Sequence, residues 1–316
     1  MKSLLILNRI RVENANAIAG IVYGFPAVTH FLGYVHALSR DLKASLDLEL
    51  GGCGIICHDF QIKAYETGGW KDSFFSLTKN PLLKDGSTPA FNEEGKVHIE
   101  ISLVIECNFT DNDFNFNEDN PEEDSKEFEK LVFQLAAKRR VAGGIVTNIS
   151  SVSFLKIPSD DEAKHPFLKK EIRKLLPGFL LRERSDLLKK HLTENVDMNP
   201  LDALLDFYVI KSKAKQSEET ENDKKIQWEY IPKPERGWFV PLQIGYKAIS
   251  PLYKEGEVAC ARDRNVPFRF VEPVYGLGEW IGLHRITDLE TIFWHYHHKN
   301  DMYLCSNNNK HLIKGE

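Results

Sequence analysis

Three groups of residues have the types and spacing to handle a nucleic acid. In the stretch LLILNRIRVENANAIAGIVYGFPAVTHFLGYVHALSR, from Leu4 to Arg40, Arg9 and Arg11 are followed by Asn14 and Asn16. Guanidinium groups hold phosphates, and side-chain amides carry the donors and acceptors that read base edges. Asparagines in a loop also bond their own backbone, so a purely structural turn uses the same residues. In the second group, Lys138, Arg139 and Arg140 run directly into Val141, Ala142, Gly143 and Gly144. A basic cluster against paired glycines lets backbone come close to a phosphate. The plainer reading is a helix end, where cations suit the dipole, followed by the start of a strand. The third group is Arg262, Arg264, Arg269 and Arg285, interleaved with Phe268, Tyr275 and Trp280. Single-stranded nucleic acid asks for such a set, with each stacked base contributing about 1–3 kcal/mol. An Arg–Asp network through Asp263 over a buried aromatic core is the equal alternative.

Other chemistries find less support. The chain has no GxxxxGK[ST], HExxH or G-x-S-x-G, and no GxGxxG opening a helix after a strand. Nucleotide hydrolysis and dinucleotide redox chemistry are therefore not expected. His295 and His298 would share a face of a helix, but third and fourth ligands are not indicated, so no metal is expected. The five cysteines are scattered and odd in number, which argues against a disulfide framework and fits a reduced, cytoplasmic chain. No catalytic residue and no cofactor are expected.

Net charge is −5 and the isoelectric point about 6.2, which argues mildly against a lone nucleic-acid binder. The charge is segregated, however. Between Leu131 and Lys190 thirteen Lys and Arg face six Asp and Glu, while Thr110 to Lys130 is strongly acidic. The overall figure thus hides a basic segment. No apolar run approaches the roughly 20 residues of a membrane span, so no membrane association is expected. The opening MKSLLILNRIRV mimics a signal peptide weakly and reads better as a strand.

The elements that must position these groups follow from periodicity. Leu4 to Leu7 is a buried strand that becomes one-sided through Arg9–Val12, and ENANAIAG suits a loop. Val28, Phe31, Leu32, Val35, Leu38 and Leu42 then make one face of a helix, so strand, loop and helix form the first half of a βαβ unit. Strands are expected over Gly54–Tyr65, Lys96–Phe109 and Ile145–Ile157. A helix capped by Ser125 is expected to run to Ala137. Helices dominate Lys164–Tyr208, and Ser212–Lys225 is a flexible polar loop. Phe268 and Phe270 share one face of a strand, and Asp288–His298 is a last amphipathic helix with Leu289, Ile292, Phe293 and Tyr296 inward.

The chain also resembles a known family, the small tail subunit of the type I-F CRISPR surveillance complex (the Csy complex), a Cas-five-type member of the RAMP superfamily. The resemblance rests on Arg9, Asn14–Ile18, Gly24–Pro26, Phe31, Gly33 and Val35–Leu38, then on GIICH (Gly54–His58), NPL (Asn80–Leu82) and DGST (Asp85–Thr88). It continues through AGG (Ala142–Gly144), LLPGF (Leu175–Phe179) and LDALLD (Leu201–Asp206) into the long block Gly245–Arg285. It implies an α+β fold on a ferredoxin-like (RRM-like) core of the RAMP type. Residues 1–144 would form its first part. Residues 145–236 would be a mainly helical thumb insertion ending in a polar linker, and 237–316 an aromatic- and Arg-rich block completing the core. It implies a non-catalytic subunit whose partners are the 5′ handle of the CRISPR RNA, the large tail subunit and the repeated backbone subunit. Target double-stranded DNA would be reached only through the assembled complex, and anti-CRISPR proteins join the partner set. Related RAMP nucleases activate a ribose hydroxyl with a histidine, which makes His30 and His36 the residues a nuclease reading would use. A protein-only scaffold is the third reading.

Overall fold

A computed structural model describes residues 3–46, 48–67, 72–76, 82–88, 94–108, 121–158, 160–216, 226–261, 263–286 and 290–307. The chain opens with β1 (Ser3–Asn16), the small pair β2 (Ile18–Ala19) and β3 (Val22–Tyr23), and α1 (Val28–Leu46). Next come β4 (Glu49–Ile62), the hairpin of β5 (Ala64–Thr67) and β6 (Asp72–Phe75), β7 (Lys96–Asn108) and α2 (Pro121–Ala137). The middle holds β8 (Arg140–Val141), β9 (Gly144–Lys156), α3 (Asp161–Arg173), β10 (Phe179–Glu183), α4 (Ser185–Glu194) and α5 (Pro200–Leu205). It ends in the hairpin β11 (Lys211–Gln216) and β12 (Ile226–Ile231). Strands β13 (Trp238–Ala248), β14 (Val271–Gly282), β15 (His295–Lys299) and β16 (Met302–Ser306) finish the chain.

Ten of these strands form one antiparallel sheet, in the order β15-β16-β13-β14-β10-β4-β7-β1-β9-β8. The architecture is therefore α+β, as expected. Strand β1 sits deep in the sheet, and its alternate residues serve two cores. Leu5 and Leu7 pack with α1 and α2, through Phe31, Leu38, Phe128 and Val132. Leu4 and Ile6 point the other way, to Leu168 and Ile172 of α3. That explains why the run is apolar without alternation. Helix α1 buries the face its spacing predicts, with Tyr34 added, whose hydroxyl donates to the Ala136 carbonyl at 3.1 Å. Each fully buried large side chain there contributes about 1.5–3 kcal/mol. A third, smaller cluster joins Phe207, Phe239 and Leu277 under α4 and α5.

Several expectations change. ENAN is not a loop but the end of β1, which absorbs the left-handed residues Arg9 (φ 48°) and Asn14 (φ 58°) at register shifts in its pairing with β7. Helix α2 starts at Pro121, so Ser125 lies inside it; proline fits a first turn and the acids after it suit the dipole. The stretch 145–236 holds three helices, but β9 and β10 run into the main sheet and Lys211–Gln216 is a strand rather than polar loop. The expected last helix is a short 3-10 turn, Glu290–Ile292, followed by β15. Trp294 exchanges two backbone hydrogen bonds with Cys53 (2.9 and 3.0 Å), and its indole donates to the Leu181 carbonyl (2.9 Å). Asn300 and Asp301, both at positive φ, then turn the chain from β15 into β16. His295 and His297 thus share a side, not His295 and His298. The acidic stretch 109–120 and residues 217–225 lie outside the described residues.

Candidate nucleic-acid interface

The bulge at Arg9 turns its N–H to the Ser102 hydroxyl (2.9 Å). Its guanidinium meets Glu100 at 2.6 Å, and Arg11 reaches the other Glu100 oxygen at 3.3 Å. Burial pushes the Glu100 carboxyl up, but the hydrogen bonds from Arg9 and Arg11 outweigh it and hold it below the usual range. Arg9 is thus largely spent inside the protein. Arg11, 63% exposed and held by one long bond, keeps donors for a ligand. Beneath them, His58 donates from Nδ1 to the Pro177 carbonyl and places Nε2 against Ser102 Oγ, both at 2.7 Å. Burial pushes the His58 imidazole down, and the Ser102 hydroxyl donates to the Asn8 amide oxygen at 3.1 Å. Asn14 accepts from Lys63. Asn16 bonds its own loop, donating to the Ile18 carbonyl (2.7 Å) and accepting its N–H (3.1 Å), as the structural reading of the asparagines expects.

The second group splits. Arg139 clasps Asp41 of α1, with Nε–Oδ2 at 2.8 Å, while Arg140 is exposed and reaches the Gly143 carbonyl (3.3 Å). Ala142 and Gly143, both at positive φ, form the two-residue turn between β8 and β9. Gly144 serves packing, because an added Cβ would lie 2.7 Å from the Ala15 nitrogen. Gly143 faces open space, and with Asn16 it lines a cleft of about 540 Å³ shared with His30, Glu94 and Lys96. Among the described residues His30 Nδ1 is buried without a hydrogen-bond partner, and burial keeps its imidazole below the ordinary histidine pKa.

The third group is not one surface. Arg262 lies outside the described residues. Arg264 is exposed with no ion pair among the described residues. Arg269 is structural, donating to the Ser250 carbonyl (3.1 Å) and to Asp301 (2.9 Å), and so tying its loop to the β15–β16 turn. Phe268 and Phe270 do not lie on a strand. Pro267 removes a ladder donor, a single bridge joins Phe268 to Tyr253, and the two rings pack against each other at 5.0 Å. Arg285 is exposed on a 3-10 turn whose Leu283 enters the core. Trp280 lines an apolar cavity of about 270 Å³, edge-on to Phe25 at 4.9 Å and beside Trp238. Tyr275 accepts the Ile21 N–H at 2.8 Å and pins the β2–β3 loop.

Sequence reasoning missed the hairpin β11–β12, which forms its own two-stranded sheet. Directly opposed residues point to the same side. One side carries Lys211, Lys213 and Lys215, opposite Ile231, Glu229 and Gln227. The other carries Tyr230, Trp228 and Ile226, with Ser212 opposite Tyr230 and Ala214 opposite Trp228. Trp228 is 72% exposed, and Ala214 opposite it is too small to cover the indole. Lys211 is tied to Asp206, Lys213 has Glu229 at 3.8 Å, and Lys215 has no ion pair among the described residues. The signal was present as the period-2 patterns KSKAKQ and IQWEYI. Among the described residues no three His, Cys, Asp or Glu cluster to hold a metal, and no helix is long and apolar enough to cross a membrane.

The family model of the CRISPR-associated protein Cas_Csy2 matches residues 5–305. The CRISPR-associated protein Csy2 of Pseudomonas aeruginosa (strain UCBPP-PA14) is 40% identical over 314 residues, covering 95% of this chain and 93% of that protein. The family match runs through β1, the β8–β9 turn and the C-terminal strands alike, and on both matches the chain belongs to the Csy2 family of CRISPR-associated proteins.

Proposed function

We propose that this chain is the small tail subunit of a type I-F CRISPR surveillance complex and acts without catalysis. With the large tail subunit it holds the 5′ handle of the CRISPR RNA in the cytoplasm, and it abuts the first repeated backbone subunit. Target DNA is read by base pairing elsewhere in the complex. The observation that carries the reading is the hairpin β11–β12, whose opposite sides offer lysines and uncovered aromatics. Cations that track a backbone and rings that stack bases are what single strands bind. Its position fits the thumb that the family resemblance implies. The connectivity β1-α1-β4-β7-α2-β9, with strand order β4-β7-β1-β9, supports a ferredoxin-like core of the RAMP type. The exposed Arg11, Arg140, Arg264 and Arg285 are further RNA contacts in this reading. The acidic whole makes tight RNA binding by the isolated chain unexpected, since phosphate is attracted only at the basic faces. The test is co-expression with the neighbouring subunits and a CRISPR array, then pull-down and sequencing of bound RNA. Enrichment of repeat-derived 5′ ends crosslinked to this chain is expected. A complex whose RNA crosslinks only to other subunits would leave the scaffold reading in its place.

A further inference from the structure

The corner built by α4 and α5 has the opposite chemistry to the hairpin that follows it. An open groove of about 1000 Å³ runs along it, with Val196, Leu205 and Val209 in its apolar lining. Val196 is 86% and Leu201 63% exposed, and Leu201 and Leu205 stand one helical turn apart. The rim is acidic, with Glu194, Asp197 and Asp202, and the cation in the lining, Lys211, is bound to Asp206. Phosphate is repelled there. The apolar floor is also held rigid. Asn199 caps α5 by accepting the Leu201 and Asp202 N–H groups (3.0 and 2.9 Å), His191 meets Asp206 at 3.0 Å, and Ala203 and Phe207 are buried beneath. A preformed apolar groove loses little entropy on binding. Contiguous exposed apolar surface rimmed by charge marks protein contact.

We propose that this groove docks a segment of a neighbouring protein subunit that carries aliphatic or aromatic anchors flanked by lysine or arginine. The inference rests on the function proposed above and adds to it a surface distinct from the RNA-binding hairpin. The test uses the co-expressed complex with the large tail and backbone subunits, comparing the native chain with Val196→Asp/Val209→Asp and Glu194→Lys/Asp197→Lys. All four positions are exposed, so melting temperatures should be unchanged. Each double variant is expected to retain about tenfold less of one of the two subunits, the scale of losing an interface anchor. Full retention of both subunits by both variants would overturn the inference alone. A native complex without RNA or partner subunits would overturn it together with the proposed function. Loss of RNA with subunits retained would assign the groove to nucleic acid. A lone chain that changes from dimer to monomer on substitution would assign it to a second copy. Either result overturns the proposal.

Discussion

Trp228→Ala separates stacking from electrostatics on the hairpin. The indole touches little of the protein, so its removal should leave folding alone. If a base of the handle stacks on it, the loss is about 1–3 kcal/mol, or roughly 5- to 150-fold in affinity. A stacking contact releases no counterion, so the slope of log affinity against log salt should stay the same. Lys213→Ala/Lys215→Ala should do the converse. The Lys213–Glu229 pair is exposed and long, worth too little to withhold the lysine from phosphate. Two lost phosphate contacts should flatten the slope by about 1.4 for a single strand. Lys211 is left in place because Asp206 already holds it. The assay is titration of labelled handle RNA with the purified two-subunit tail across a salt series, with thermal melting as control. Unchanged affinity for the tryptophan variant, or a flattened slope in place of weaker binding, would refute the assignment of the two faces.

Four further outcomes follow from the geometry. Glu279→Gln removes the buried carboxylate that holds Arg182 (2.7 Å) and Arg184 (2.6 Å); it should cost about 3 kcal/mol, the low end for a broken buried pair because both arginines keep some water, and lower the melting temperature by about 5 °C. His58, His30 and His297 have pKa values depressed chiefly by burial, so the unfolded chain binds more protons just below the ordinary histidine value; melting temperature should fall as pH drops below about 6.5, and His58→Gln should shrink that fall. Arg264→Ala should flatten the salt slope by about 0.7 with melting unchanged, whereas Arg269→Ala should lower the melting temperature and leave the slope alone. His30→Ala or His36→Ala should leave CRISPR RNA maturation intact in cells with the complete operon, and uncut precursor in an assembled complex would revive a nuclease role.

Local periodicity made α1 and β7 legible, because their apolar residues recur at the spacing of the face they bury. It could not reveal which cations were spent. Arg9 is neutralised by Glu100, Arg139 by Asp41 and Arg269 by Asp301, partners far along the chain that only the sheet order brings together. Trp280 looked like a stacking platform beside arginines, yet it lines an apolar cavity edge-on to Phe25. The histidine-rich end read as a helix since Ile292, Phe293 and Tyr296 fit that spacing. Pairing with β16 across the Asn300–Asp301 turn decided otherwise. The period-2 pattern of Ile226, Trp228 and Tyr230 in β12 was overlooked because its partner strand, KSKAKQ, is polar enough to read as loop.

The double service of β1 has a consequence for what lengths this strand can take. Removing one residue between Leu4 and Leu7 would swap the side chains delivered to the α1–α2 layer with those delivered to the α3 layer, a defect on both sides at once. The bulges at Arg9 and Asn14 are the places where an extra residue is already accommodated without changing that parity. Insertions and deletions in this strand should therefore survive only there, which makes the bulges its points of editable length.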